Sequence, residues 1–158
     1  MAGEGMPSMP EGRGDFLTDA TALAIEYFSR KNQPFFLMVE GSQIDWAGHD
    51  NENERLIAET LDFEKSIAVA LDFAEKNGNT LVIVTADHET GGFTLSAEHD
   101  DATDTSDYRK IVSSFATTTH SATLVPVFAS GPGAETFSGM YENTEIFHKM
   151  AAAIGQED

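Results

Sequence analysis

The sequence predicts an α/β fold, a doubly wound and mostly parallel sheet with helices on both faces. Two continuous apolar runs, Phe35-Phe36-Leu37-Met38-Val39 and Leu81-Val82-Ile83-Val84-Thr85-Ala86, have the composition of strands covered on both sides. Between them lies a long segment whose apolar residues recur at helical spacing. Strand, helix, strand in that order implies a right-handed crossover between parallel neighbours.

Residues 1–15 are rich in Gly, Pro and Met without periodicity, so a mobile arm, or a boundary cut within a longer protein, is expected there. The folded domain proper is expected over residues 16–158. Its first helix starts near Thr18 and Asp19, carries Leu23, Ala24, Tyr27 and Phe28 on one side, and stops before Pro34. The run 35–39 follows as a central parallel strand that ends at Glu40. Leu56, Thr60, Phe63, Ile67, Ala70 or Leu71, and Ala74 then mark an amphipathic helix of about six turns, closed by Asn77-Gly78. The run 81–86 is the second strand. Gly91-Gly92 and the acidic stretch 98–107 read as loop, with a short helix over 108–115. Residues 124–129 form a third strand whose Pro126 points to an edge or a strand start, Gly131-Pro132-Gly133 turns the chain, and a last helix runs over 144–154.

Composition removes several classes of function. With 9 Lys and Arg against 27 Asp and Glu, the net charge of −18 leaves no basic stripe for nucleic acid. The absence of cysteine excludes disulfides, thiol nucleophiles, Cys-based zinc knuckles and iron–sulfur clusters, so any metal must sit on O and N ligands. No apolar run is long enough to span a bilayer, and no secretory leader opens the sequence.

In a doubly wound sheet, ligands collect at the carboxyl ends of the strands. After the first run come Glu40, Asp45 and His49, the last two at a spacing that shares one helical face. After the second come Asp87 and His88, which a turn leaving the strand can bring together. His120 follows the hydroxyl run Thr117 to Thr119, just before the third strand. Each residue alone is a common helix cap or solvated loop residue. Together they place three imidazoles and three carboxylates around one crevice, a donor set suited to zinc, with the carboxylate-only position suited to magnesium. His99 and His148 lie away from strand ends and read as structural or solvated. The acidic stretch 50–59 lacks the central glycine and alternating ligands of a calcium loop, and Asp104-Thr105-Ser106 reads as an exposed loop rather than a nucleophile beside a base.

The segments Met38-Val39-Glu40-Gly41-Ser42-Gln43-Ile44-Asp45 with His49, Val84-Thr85-Ala86-Asp87-His88-Glu89-Thr90-Gly91-Gly92, and Thr119-His120 resemble the alkaline phosphatase family in order and spacing, over roughly residues 15–155. The resemblance implies a phosphate monoesterase that uses two zinc ions and magnesium and works through a phosphoserine intermediate. It implies Asp45, His49 and His120 as ligands of one zinc, Asp87 and His88 as two ligands of the other, and Glu40 as a magnesium ligand. Trp46, next to Asp45, matches a position that varies among relatives and can touch phosphate through water, so the resemblance implies a substrate-binding residue that walls the pocket here, or one that simply packs. The family's nucleophilic serine beside an aspartate has no match, because no Asp-Ser pair occurs in this sequence. The expectation is therefore a C-terminal portion with one complete zinc site, no catalytic nucleophile and negligible turnover alone. Its partners would be a phosphate monoester, the N-terminal half of the enzyme and, through an exposed strand edge, a second copy of the chain. Family members usually work outside the cytoplasm, which implies a periplasmic or secreted parent. Three other readings compete: a non-catalytic zinc-binding module, a phosphodiesterase or sulfatase of the same superfamily, and an acidic interaction domain whose strand-end residues merely cap helices.

Overall fold

The computed structural model describes residues 6–155, so residues 1–5 of the expected arm and 156–158 of the expected domain lie outside it. The element order is α1 (Phe16–Ser29), α2 (Gln43–Asp50), α3 (Asn53–Asn77), β1 (Val82–Val84), β2 (Glu89–Thr90), β3 (Thr94–Asp100), β4 (Thr105–Ser114), β5 (His120–Ser121), β6 (Phe128–Ser130), a 3-10 turn (Ala134–Phe137) and α4 (Glu145–Ala153). The chain divides into two compact units.

The first unit gathers Met1–Gly14, Glu40–Leu61 and His88–Leu124. Its opening segment is tied to the start of α3. Glu59 is a buried carboxylate, its side chain 2% exposed, that pairs with the equally buried Arg13 and accepts the Met9 N–H at 2.6 Å. A second buried group, Gln43, donates its amide to the Met6 carbonyl at 2.6 Å and accepts from Arg55 at 2.5 Å. Burial works against the Arg55 charge, but hydrogen bonds and charges from Glu52 and Asp50 outweigh it and hold the guanidinium above its ordinary pKa. Helix α2 buries Gln43, Ala47 and Gly48 and ends at Asn51, whose φ of 55° turns the chain toward α3. Strands β2 and β5 pair antiparallel, Thr90 opposite His120, and β3 and β4 form a longer antiparallel ribbon with a bulge at Ala97/Glu98.

The second unit gathers Asp15–Val39, Asp62–Asp87 and Val125–Asp158. Helix α1 buries Thr21 and Ile25, and Asp15 accepts a hydrogen bond from Lys65 at 2.7 Å. Phe28 stacks on Phe35 at 5.7 Å, and Phe35 in turn lies 6.5 Å from Phe73. Strands β1 and β6 pair antiparallel with Val82 opposite Ser130. Gly131, at φ +109°, packs so closely on Thr80 that a Cβ would lie 2.2 Å from its carbonyl oxygen. Phe137 is the buried anchor of the 3-10 turn, and Tyr141 donates to its carbonyl at 2.8 Å.

Several expectations are corrected. All strand pairs among the described residues are antiparallel, in three two-stranded sheets rather than one parallel sheet. An apolar run reports how far a strand is covered, not the direction of its neighbour. Residues 35–39 take no regular secondary structure and join no ladder among the described residues, with Phe36 at 65% and Met38 at 75% exposure. The acidic stretch 98–107 is instead the turn end of the β3–β4 ribbon, and residues 108–114 of the expected helix continue β4. Tyr108, Ile111 and Val112 favour a pleated surface over a helix, and Asp104 at φ 52° and the Asp100 carboxylate, accepting the Ala102 N–H at 2.9 Å, build the reversal. The strand expected over 124–129 is Phe128–Ser130, with Pro126 just ahead of it where no ladder N–H is needed. Helices α1, α3 and α4 lie where the periodicity puts them. No helix among the described residues is long and apolar enough to cross a membrane.

Candidate metal centre

Three side chains converge in the first unit. Asp45 and His49 lie one turn apart on α2, and His120 opens β5. Asp45 Oδ1 is 3.5 Å from His49 Nε2 and 3.6 Å from His120 Nε2, and the two imidazole nitrogens are 3.1 Å apart. Among the described residues these three form a group whose donor atoms lie close enough together to share one cation. Bonds of about 2.0–2.1 Å to a tetrahedral ion give ligand-to-ligand edges of about 3.3–3.4 Å, a value that the three separations bracket. The side chains are 35–48% exposed, so the triangle has one face open to solvent.

The surrounding backbone orients these donors. His49 Nδ1 lies 2.7 Å from the Thr118 carbonyl, which can only accept, so the ring proton sits on Nδ1 and Nε2 keeps its lone pair toward the group. Two Nε2 atoms 3.1 Å apart either share a proton or face a common cation. Thr118 is held by its neighbours: Gly91, at φ +89°, donates to the Thr119 carbonyl at 3.1 Å and accepts from Ala116 and Thr117. Helix α2 meets β2 at Gly48, where a Cβ would stand 2.9 Å from the Thr90 carbonyl oxygen and 3.1 Å from its side chain. Glycine at these two positions lets α2, β2 and the loop before His120 approach one another.

His88 stacks on His120 with ring centroids 3.5 Å apart and planes at 21°. Its Nδ1 lies 3.2 Å from Thr90 Oγ1, which donates to Asp45 Oδ1 at 2.5 Å. Asp87 falls in the second unit as an exposed bend residue whose carbonyl accepts from Asn143 at 3.1 Å. Glu40 is exposed, directly after residues 35–39. Trp46 is exposed on α2, one residue past Asp45. Sequence reasoning on strand ends missed Thr90 and the Thr118 carbonyl. Neither carried a signal: a main-chain carbonyl is common to every residue, and a threonine in a short strand is ordinary.

The family model for alkaline phosphatase matches residues 9–106 and 95–156. Alkaline phosphatase 3 of Bacillus subtilis is 31% identical over 202 residues, covering 87% of this chain and 44% of that protein. The alkaline phosphatase of Escherichia coli is 35% identical over 149 residues, covering 88% of this chain and 32% of that one. The solved alkaline phosphatase of the Antarctic bacterium TAB5 superposes with a TM-score of 0.93 at 56% identity, over 100% of this chain and 46% of its own length. A mutant of that enzyme was solved with magnesium bound in its M3 site. The chain thus spans less than half the length of these relatives. A family match along nearly the whole sequence, and a superposition that extends over all of it, agree with the convergence of Asp45, His49 and His120, and the chain belongs to the alkaline phosphatase family.

Proposed function

We propose that this chain is the metal-holding part of a phosphate monoester hydrolase, with Asp45, His49 and His120 as the protein ligands of a zinc ion. The observation that carries the reading is the triangle of one carboxylate oxygen and two Nε2 atoms with edges of 3.1–3.6 Å. The donor set fits the ion, since mixed imidazole and carboxylate ligands suit zinc and His49 already presents its lone pair. Bound there, zinc supplies a Lewis acid that stabilises a leaving alkoxide and lowers the pKa of a water toward about 7. The open face favours a catalytic site over a structural one, because structural zinc is closed by four protein ligands.

The chain's own residues hold and orient these groups. His49 is fixed through Thr118, Asp45 through Thr90, and His120 by its stack on His88 and by ladder pairing. Asp87 and His88 are proposed as two ligands of a second zinc and Glu40 as a magnesium ligand; the magnesium bound in the M3 site of a TAB5 mutant supports the use of magnesium in this family. Trp46 is proposed as a wall of the substrate pocket. A surface of net charge −18 repels a phosphate dianion, so cations at this site are what makes the approach favourable. The serine nucleophile, and with it a phosphoserine intermediate, is proposed to come from sequence that this chain does not contain.

Calorimetric titration with zinc, run on the chain and on Asp45→Ala and His120→Ala, tests the reading alongside a chromogenic phosphate monoester assay. One zinc per chain, lost in both variants and with negligible turnover, is the expected result. No specific zinc, or a zinc that survives both substitutions, overturns it.

A further inference from the structure

We infer that Thr90 is a positioning residue that couples the Asp45 carboxylate to the His88 imidazole through its single hydroxyl. The inference rests on the zinc reading above and adds to it a residue outside the expected ligand set. Oγ1 lies 2.5 Å from Asp45 Oδ1 and 3.2 Å from His88 Nδ1. A hydroxyl has one proton to give, and an ionised carboxylate can only accept. The proton therefore points to Asp45, and the lone pairs of Oγ1 are left to accept from His88 Nδ1–H. That fixes His88 as the Nδ1–H tautomer, with the lone pair on Nε2, the arrangement an imidazole needs to bind a metal through Nε2.

Thr90 is itself held from three sides. It is paired with His120 across the β2–β5 ladder, packed against Gly48 of α2, and followed by Gly91 in a left-handed conformation. Asp45 Oδ1 is the same oxygen that faces both His49 and His120. A change at Thr90 thus reaches the carboxylate of one proposed site and the imidazole of the other at once, without touching any metal directly.

The test uses Thr90→Val, which keeps the shape and removes the hydroxyl, and Thr90→Ser, which keeps the hydroxyl. Two-bond nitrogen–proton NMR of the metal-free chain at about pH 8.5, above the ordinary imidazole range, reads the His88 tautomer independently of metal and of activity. Nδ1–H is expected in the parent and in Thr90→Ser, with Nε2–H gaining population in Thr90→Val. Zinc affinity, from competition with a chromophoric chelator, is expected to fall about 10–100-fold in Thr90→Val and to recover in Thr90→Ser. A parent that is mainly Nε2–H at His88, or a Thr90→Val chain with the parent's tautomer and zinc affinity, overturns the inference. Absence of zinc binding by the parent, with the tautomer shift intact, sinks the zinc reading instead and leaves the hydrogen-bond coupling standing.

Discussion

His49 Nδ1 points at the main-chain carbonyl of Thr118 across 2.7 Å, so a residue of α2 is oriented by the loop that delivers His120. One proposed ligand is therefore aimed by the backbone that leads into another. His49→Ala removes a donor from the triangle, and zinc affinity is expected to fall by more than about 100-fold, beyond the range usual for outer-shell partners. His49→Gln, which keeps hydrogen-bonding capacity but not the imidazole, is expected to fall comparably. Chelator competition on both variants measures this, and near-parent affinity in either would remove His49 from the site.

Gly48→Ala tests the approach of α2 to β2. The new Cβ would stand 2.9 Å from the Thr90 carbonyl and 3.1 Å from Thr90 Cβ and Cγ2, and the backbone oxygen has no flexible end to yield. Overpacking of this kind costs about 1–3 kcal/mol, readable as a shift in the urea midpoint. Zinc affinity is expected to drop as well, since the same displacement moves Asp45 away from His120.

Glu59→Ala tests the tie between the opening segment and α3. It leaves Arg13 buried without its carboxylate and the Met9 N–H without its acceptor, and breaking one side of a buried pair costs about 3–5 kcal/mol. Replacing both residues, as Arg13→Met with Glu59→Leu, is expected to cost less than Glu59→Ala alone. A larger loss in the double variant, by denaturant unfolding, would show that the pair is not what holds the segment.

Glu11 supplies a pH prediction. Its carboxylate accepts the Ser8 N–H and the Ser8 hydroxyl, each at 2.8 Å, and these two bonds hold it below the ordinary glutamate range. Because the folded value is depressed, the contribution to stability is present above the unfolded pKa of about 4.3 and is lost as pH falls through the folded value. Ser8→Ala removes the hydroxyl bond and keeps the backbone one. The NMR titration of Glu11 should then move upward without reaching the unfolded value.

Gly131→Ala probes the second unit. A left-handed φ of +109° and a Cβ 2.2 Å from the Thr80 carbonyl combine backbone strain with a clash, at a cost on the order of 2–4 kcal/mol. Thermal unfolding measures it, and a near-neutral substitution would show that the 80–81 and 130–131 segments are not so tightly joined.

The helices were legible in the sequence because their signals are local. The spacing of Leu56, Phe63, Ile67 and Ala74, closed by Asn77-Gly78, needs no partner to be read, and the spacing of Asp45 and His49 is itself a statement that both face one way. The strands were less legible, because a strand is defined by its neighbour. The run 81–86 gave the existence of β1 but not its antiparallel partner β6, and 108–115, with Arg109 and Lys110 beside Ile111 and Val112, lacks the strict alternation of a strand and reads as helix until it is paired with β3.

The same division governs the site. Residue types and order were enough to name the imidazole and carboxylate donors, and the absence of cysteine left only O and N ligands, because both are properties of the chain itself. Which donors meet, which nitrogen of His49 carries its proton and what orients Asp45 were settled by contacts between residues 45 or more positions apart, among them Thr90 on Asp45 and Thr118 on His49. Periodicity reports the face a side chain takes on its own element. Hydrogen bonds between distant segments, and the close approach that Gly48 permits, exist only once the chain has folded back on itself.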